Sequence, residues 1–171
     1  MKQNTLNNQM LSPHFFLQEM TESPTARKHG IDNAPPTEAV ENLKRLCVYT
    51  LEPLREELDL PVVISSAFRT KALNDLLAHS SEKSQHMQGC AADFHVASGQ
   101  SGLSRRELLI KAFRLIIQSE QIDYDQLILY PTFIHVSYVS KEKNRHTILL
   151  GMRNGKLGYG KCSVENALKI Q

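Results

Sequence analysis

The sequence is poor in the residues that build disulfide frameworks, and it lacks the long apolar runs that cross membranes. It has three cysteines in 171 residues, Cys47, Cys90 and Cys162, and no two of them stand at C-x-x-C spacing. An odd number of widely spaced cysteines fits a reduced compartment better than a disulfide-linked fold. The first twenty residues lack the apolar stretch of a signal peptide, and no apolar run is long enough to span a bilayer. We therefore expect a chain that is cytoplasmic as synthesised and has no membrane partner.

The chain also carries little net charge. The formal net charge is +2, the isoelectric point is near 8.4, and no run of Lys or Arg stands out, so the sequence gives no basic footprint for nucleic acid. Hydrophobic residues at 41% and charged residues at 22% are ordinary for a globular protein. We expect a polar, disordered tail over residues 1–10, one domain over residues 11–171, and a monomer.

Hydrophobic periodicity and breaker residues predict a mixture of helices and strands. Ser12 before Pro13 predicts a helix start, and this helix should end at Glu19. Ser104 with Glu107 forms a capping box ahead of a predicted helix at Arg105–Ser119. The other predicted elements are a helix capped by Thr37, a β-rich run at Leu60–Phe68, a short helix at Thr70–Ala78, strands at Tyr124–Leu129, Phe133–Val139 and Thr147–Arg153, and a hairpin through Asn154-Gly155 to Lys156–Tyr159.

Two histidines and one aspartate form a candidate metal site. His86 and Asp93 lie close together in SQHMQGCAADFHV, and His135 follows in FIHVSYV. Catalytic zinc is usually held by three protein ligands and a water, whereas structural zinc tends to have four ligands rich in cysteine. The alternative is chance, because seven histidines occur in the chain and many such triads could be assembled from them.

The local pattern favours the metal site. Period-two alternation puts Asp93 on one face of its strand and Phe94 on the other, and His135 alternates with apolar residues in the same way. A carboxylate and an imidazole flanked by core residues in the middle of strands are costly to bury without compensation. A shared cation supplies that compensation.

Several blocks of the sequence resemble the zinc D-alanyl-D-alanine carboxypeptidase family. The resemblance runs from about Leu11 to Tyr138, and its blocks occur in order: LSPHFFLQEMTES, GIDNAPP, ENLKRLCVYTLEPLRE, ISSAFRT, SQHMQGCAAD, YDQLIL and IHVSY. This family shares its fold with the hedgehog signalling domain and the vancomycin-resistance D,D-dipeptidases. The resemblance implies a single α+β domain with a central, mostly antiparallel β-sheet and helices packed on it.

The resemblance also implies roles for individual residues. His86, Asp93 and His135 correspond to the zinc ligands, and Arg69 of SSAFR lies where the family places a cationic residue at the active site. Arg69 could stabilise the oxyanion formed during hydrolysis, or it could be a solvated turn residue in a surface salt bridge. Ser84 could hydrogen-bond the substrate or orient His86, or it could be a turn or cap serine.

The family's general base is missing from this chain. These peptidases usually carry a Glu or Asp shortly before the second histidine, but the segment between Asp125 and His135 reads QLILYPTFI. Tyr130 follows QLIL, where the family suggests Glu, and an unperturbed Tyr is a poor base at pH 7. We predict that Tyr130 hydrogen-bonds the zinc-bound water; the alternative is an aromatic residue that packs the edge of the sheet.

Two functions follow from these residues. The first is a zinc-dependent D,D-carboxypeptidase or endopeptidase that hydrolyses peptidoglycan stem peptides and reaches the cell wall after release or export. The second is a catalytically weak or inactive relative that binds zinc and a wall peptide, or a protein partner, through the same cleft. The retained ligands, Arg69 and Ser84 favour the enzyme.

Overall fold

A six-stranded sheet forms the centre of the structure, which is a computed structural model. The structure describes residues 9–77, 80–99, 101–153 and 156–170. For residues 152, 153 and 156–159 it describes the backbone only. The strands of the sheet are β3 (Val62–Ser66), β4 (Ala91–Val96), β5 (Gln126–Leu129), β6 (Ile134–Ser137), β7 (Thr147–Arg153) and β8 (Lys156–Lys161). They lie in the order β3-β4-β6-β5-β7-β8, and all neighbours are antiparallel except β5 and β7. This arrangement confirms the predicted fold class.

The alternation predicted for two central strands is present. In β4, Ala92, Phe94 and Val96 are buried, whereas Asp93 and His95 on the other face are only partly buried. In β6, Ile134 and Val136 enter the core, and His135 faces the opposite side. The apolar face joins one hydrophobic core with the helices, and each large aliphatic or Phe side chain buried there contributes about 1.5–3 kcal/mol. The polar face is left for the site.

The chain begins with a small hairpin where we had predicted a helix. Strands β1 (Met10–Ser12) and β2 (Phe15–Phe16) pair, and only then does helix α1 (Leu17–Thr21) begin. The prediction of a helix from Ser12 is wrong because the hairpin lets the chain bury Phe15 completely while the His14 N–H donates to the carboxylate of Glu52 at 3.1 Å. Residues 1–8 of the predicted tail lie outside the described residues, and Met10 is already in β1.

A long helical segment follows helix α2 (Pro24–His29). It consists of α3 (Thr37–Leu46), a π-helical turn (Cys47–Leu51) and α4 (Glu52–Leu58). Pro53 explains the π-turn, because proline has no N–H and its ring would clash with the carbonyl four residues earlier in an α-helix. Pro36 occupies the cap position of α3, so Thr37 is the first helical residue and the predicted Thr37 cap is wrong.

The remaining helices pack around the sheet. Helix α5 (Lys71–Leu76) is capped by Thr70, and a 3-10 helix (Gln85–Gln88) precedes β4. Helix α6 (Arg105–Gln118) has the predicted capping box, with Ser104 Oγ accepting from the Glu107 N–H at 3.3 Å. Helix α7 (Val164–Leu168) ends the described chain and was not predicted, nor were α2 and the 3-10 helix.

Strand bounds are shorter than predicted at β3, β5 and β6, identical at β7 and longer at β8. The turn predicted at Asn154-Gly155 lies outside the described residues, as does the end of the Thr70–Ala78 helix. All three cysteines are free thiols, in agreement with their spacing. In the part of the chain that the structure describes, none of the helices combines the length and the apolar composition that a bilayer crossing needs.

Candidate metal centre

Two neighbouring strands bring Asp93 and His135 together. Strands β4 and β6 are antiparallel, and their register pairs these two residues directly, so both side chains emerge on the polar face of the sheet. The His135 Nδ1 atom lies 2.8 Å from Asp93 Oδ1. Ordinary strand alternation is therefore sufficient to place two of the three predicted ligands.

His86 reaches the same point from the 3-10 helix. Its Nε2 atom lies 3.2 Å from His135 Nδ1 and 3.4 Å from Asp93 Oδ1. Gly89 ends this helix in a left-handed conformation at φ 72°, where a Cβ would collide with the carbonyl of Ala39 in α3. A glycine at this position therefore lets the helix lie tightly against α3 and sets the position of His86.

The hydrogen bonds of His86 suit a metal ligand. Its Nδ1 lies 2.7 Å from the carbonyl oxygen of Ala67, so Nδ1 carries the proton and the Nε2 lone pair faces Asp93 and His135. Burial lowers the pKa of His86, which favours the neutral imidazole that metals bind. Burial alone would raise the pKa of Asp93, but its electrostatic interactions with the imidazoles of His86 and His135 hold it well below its usual range.

The donor atoms of His86, Asp93 and His135 all lie within 4.8 Å of one another. Two imidazole nitrogens and one carboxylate oxygen form a donor set that zinc accepts, with three protein ligands as in catalytic sites. The side chains, predicted from separate parts of the sequence, thus point to one place, and the residues present fit a zinc ion.

Arg69 lies against this ligand set. Its Nη2 donates to Asp93 Oδ2 at 2.9 Å and lies 3.4 Å from His86 Nε2, while Nε donates to Ser66 Oγ at 3.0 Å. The Arg69 side chain is 13% exposed, which does not match a solvated residue in a surface salt bridge. Arg69 therefore lies beside the three grouped donors, and its role in a reaction stays a prediction.

The site opens into a cavity of about 800 Å³. Its lining includes every residue predicted for the site, namely Arg69, Ser84, His86, Asp93, Tyr130 and His135. The sequence model of the peptidase M15 family matches residues 13–137, well over half of the chain. The chain belongs to the peptidase M15 family. This is the zinc D-alanyl-D-alanine carboxypeptidase family that the sequence resembles, and its members are metallopeptidases. A comparison with curated proteins finds no match.

The turn that carries Tyr130 is held by aromatic packing. The Tyr130 N–H donates to the Phe133 carbonyl at 3.0 Å, and the two rings stack with centroids 4.3 Å apart. Gly151 lies so close to the Tyr130 ring that any Cβ there would collide with it. Packing therefore explains where the ring lies, and the ring also lines the cavity, so both interpretations of Tyr130 remain open.

Ser84 and His95 lie near the three grouped donors in the sequence but are not part of that group. Ser84 directly precedes the 3-10 helix, where its side chain makes no capping hydrogen bond, and it lines the cavity. His95 follows Asp93 on the same face of β4 and pairs with Val63 of β3. His95 is not among the three grouped donors.

Asn33 supports the Arg69 segment, a role that the sequence did not predict. Its Nδ2 donates to the carbonyls of Thr21 and Phe68 at 2.9 and 3.1 Å, and its Oδ1 accepts from the Thr70 N–H at 2.8 Å. These three bonds fix the residues on either side of Arg69. Only the position of Asn33 in the GIDNAPP block of the M15 resemblance could have drawn attention to it.

Asp125 joins both ligand-bearing segments and was also missed. It is 1% exposed and accepts hydrogen bonds from Gln85 Nε2 at 2.8 Å, from Arg145 Nε at 2.8 Å and from Ser137 Oγ at 3.4 Å. Burial would raise the pKa of Asp125, but the bonds from Arg145 and Gln85 outweigh it and lower the pKa to about 2. Gln85 precedes His86 and Ser137 follows His135 by two residues, so the carboxylate ties the two ligand segments together.

Proposed function

We propose that the protein is a zinc-dependent D,D-carboxypeptidase or endopeptidase that hydrolyses peptidoglycan stem peptides. The observation that carries the proposal is the group of His86, Asp93 and His135 donors within 4.8 Å, beside Arg69, in a chain of the M15 family. We further propose that the enzyme acts as a monomer, binds no nucleic acid and meets the cell wall after release or export.

The three grouped side chains would hold the zinc. Bound zinc supplies a Lewis acid that lowers the pKa of a coordinated water to about 7 and polarises a carbonyl oxygen. His86 would contribute Nε2 because Nδ1 is committed to the Ala67 carbonyl, and His135 would contribute Nδ1, the atom that lies near His86 and Asp93. The hydrogen bond to Ala67 fixes both the tautomer and the ring orientation of His86.

Arg69 supplies the positive charge that the reaction needs beside the ligands. Peptide hydrolysis develops an oxyanion, and a guanidinium offers several donors in a fixed plane for that oxygen or for a substrate carboxylate. The bonds to Asp93 and Ser66 hold the Arg69 side chain in place before substrate arrives. Pre-organised donors of this kind are most effective when they are shielded from water, and Arg69 is largely buried.

A specific observation favours a second candidate, a zinc-binding relative with weak or no turnover. No Asp or Glu occurs between Asp125 and His135. Asp125 itself is a weak base, because its pKa is about 2 and its carboxylate accepts hydrogen bonds from Arg145. Tyr130 can hydrogen-bond the attacking water, but a phenol is a poor general base at neutral pH. Such a protein would bind a wall peptide, or a protein partner, in the same cavity.

The test is turnover of the stem pentapeptide L-Ala-γ-D-Glu-L-Lys-D-Ala-D-Ala by the zinc-loaded protein. The enzyme proposal expects release of D-Ala or cleavage of an internal bond, lost on treatment with a chelator and restored by zinc. His135→Ala is the matched negative control because it removes a ligand. Tight peptide binding with no cleavage at any pH would favour the second candidate, and cleavage that survives chelation would overturn both.

A further inference from the structure

The cavity is positively charged apart from any metal. Its lining contains four cations, Arg69, Lys83, Lys143 and Arg145, against two carboxylates, Asp93 and Asp125. With neutral histidines this leaves an excess of two positive charges. Asp93 is committed to the ligand set and Arg69, and Asp125 to Arg145 and Gln85. Charge of this sign in a concave site attracts anionic ligands.

Arg145 is held as a rigid donor group. The buried carboxylate of Asp125 accepts from its Nε at 2.8 Å and from its Nη2 at 2.5 Å, and the Arg145 backbone N–H donates to the same carboxylate at 2.9 Å. A guanidinium has five N–H donors, so this pairing leaves three for a ligand. The Arg145 side chain is 57% exposed although its anchor is buried. A fixed fork of this kind loses little freedom on binding.

Lys143 lies in the turn that precedes Arg145. The Lys143 and Asn144 N–H groups donate to the Ser140 carbonyl at 3.0 and 2.9 Å, and Asn144 Oδ1 accepts from the Val139 N–H at 2.9 Å. Lys143 is exposed, and within the described part of the chain no carboxylate forms an ion pair with it. Two cations from one constrained turn therefore line the cavity.

Strand β6 indicates how far the Arg145 anchor lies from the ligand set. Asp125, the anchor of Arg145, bonds to Ser137, which lies two residues beyond His135 on the same face of β6. Two strand residues span roughly 7 Å. An extended peptide bound along this face would place a group about two residues from the reacting bond near the Arg145 anchor.

We propose that Lys143 and Arg145 bind a carboxylate of the peptide substrate, about two residues away from the scissile bond. This inference rests on the proposed function and adds the substrate class, an anionic peptide. Arg145 provides the planar fork that matches a carboxylate, and Lys143 provides a second, adaptable charge. In a stem pentapeptide cleaved at its D-Ala-D-Ala bond, the α-carboxylate of γ-linked D-Glu lies about that far from the bond. The C-terminal carboxylate lies one residue from the bond and is the alternative source.

Calorimetric titration of the zinc-loaded protein with three forms of L-Ala-γ-D-Glu-L-Lys-D-Ala-D-Ala separates these sources. One peptide has both carboxylates free, one has the D-Glu carboxylate as an amide, and one has the C-terminal carboxylate as an amide. Because charge-assisted hydrogen bonds are being removed, one amidation should weaken binding by about tenfold to a hundredfold. The peptide that loses affinity identifies a carboxylate that the protein binds, and the variants below show whether Lys143 and Arg145, and not Arg69, bind it.

Variants then link the discrimination to the two side chains. Lys143→Gln and Arg145→Gln should each weaken binding of the free peptide and reduce the difference between free and amidated forms. Lys141→Gln is the matched control, since Lys141 is exposed in the same turn but does not line the cavity. Arg145→Gln leaves the buried Asp125 without its cation, so Lys143→Gln, which breaks no ion pair of the described residues, keeps the test valid if that variant unfolds.

The outcomes separate this inference from the proposed function. Equal affinity of the wild type for all three peptides, or unchanged discrimination in Lys143→Gln, overturns the inference, while chelator-sensitive cleavage would leave the proposed function standing. Charge-dependent binding that vanishes in the Lys143 variant supports the inference even where no peptide is cleaved. Failure of all three peptides to bind overturns the inference, and failure to be cleaved overturns the enzyme.

Discussion

The two sides of the cavity are built in different ways. On the ligand side, each functional group has a polar partner: the Ala67 carbonyl accepts from His86, Asp93 accepts from Arg69, and His135 bonds to Asp93. The turn from Tyr130 to Phe133, which lines another part of the cavity, is held by stacked rings and offers no carboxylate. Under the proposed function, the residues that would hold a metal are all present, whereas this turn supplies no carboxylate to move a proton. The proposal therefore expects binding and turnover to depend on separate regions that can be changed separately.

The largest expected effect is loss of the metal. His135→Ala removes one of three donors, and we expect stoichiometric zinc in the wild type and none in the variant, measured by elemental analysis after dialysis. The fold should survive, with an unchanged circular dichroism spectrum, because a core of this size does not depend on one ion. Zinc retained by the variant would show that the metal lies elsewhere.

The next effect concerns the deficient side of the cavity. Tyr130→Glu restores a carboxylate after QLIL, and we expect cleavage of the stem pentapeptide to rise, within the 10²–10⁴-fold range that general base catalysis contributes. Zinc content should be unchanged in the same preparation. Tyr130→Phe is the control, because it keeps the stacked ring and removes only the hydroxyl group.

Two results would contradict this account of the turn. Robust wild-type cleavage that Tyr130→Phe leaves unchanged would mean that another group is the base. A Glu variant that folds, binds zinc and gains nothing would mean that a carboxylate at this position cannot reach the attacking water.

A somewhat smaller effect is expected on the ligand side at Arg69. Arg69→Lys keeps the charge but loses the planar fork, so cleavage should fall while zinc content stays unchanged. Loss of an oxyanion donor typically raises the barrier by roughly 2.7–4 kcal/mol, or about 10²–10³-fold in rate. Arg27→Lys is a suitable control, since Arg27 is an exposed residue paired with Glu22. A variant with wild-type kcat would remove Arg69 from the reaction.

Local sequence patterns were sufficient to predict several features of the fold and the site, as two predictions illustrate. Alternation in β4 and β6 placed Asp93 and His135 on the polar face because the side-chain period of a strand needs no tertiary information. The Ser104 capping box was predictable for the same reason, since both partners lie within four residues. The helix predicted from Ser12 failed where burial of Phe15 overrode the local signal.

Contacts between distant segments escaped prediction. Asn33 bonds to Thr70, 37 residues away, and Asp125 bonds to Gln85, 40 residues away. Asn33 stands in a segment with no periodic pattern, where an Asn is equally compatible with a solvent-exposed turn. Asp125 stands near the start of a predicted strand, and nothing in the local sequence indicates its partner. These residues organise the ligand side of the cavity, and only the fold reveals their partners.

Removing the Asn33 support tests whether the ligand side owes its order to these distant bonds. Asn33→Ala breaks three hydrogen bonds around Arg69 and should lower the free energy of unfolding by about 1–3 kcal/mol, measured by urea denaturation. Asp32→Ala is the neighbouring control, because Asp32 makes one exposed bond to the Ala34 N–H. Equal stability of the Asn33 and Asp32 variants would show that the three Asn33 hydrogen bonds make no net contribution to stability.

The smallest expected effect is a pH dependence of the stability that Asp125 contributes to the ligand side. The pKa of Asp125 is lowered to about 2 in the folded protein, against about 3.9 in an unfolded chain, so its contribution to stability is present above pH 4 and is lost as the pH falls toward 2. Asp125→Asn should therefore be less stable than the wild type at pH 7, and the difference should shrink between pH 4 and pH 2 in urea denaturation. Asp75→Asn, in an exposed pair with Lys71, should show almost no difference at any pH. A difference for Asp125→Asn that stays constant down to pH 2 would mean that the carboxylate stabilises the ligand side by shape and not by charge.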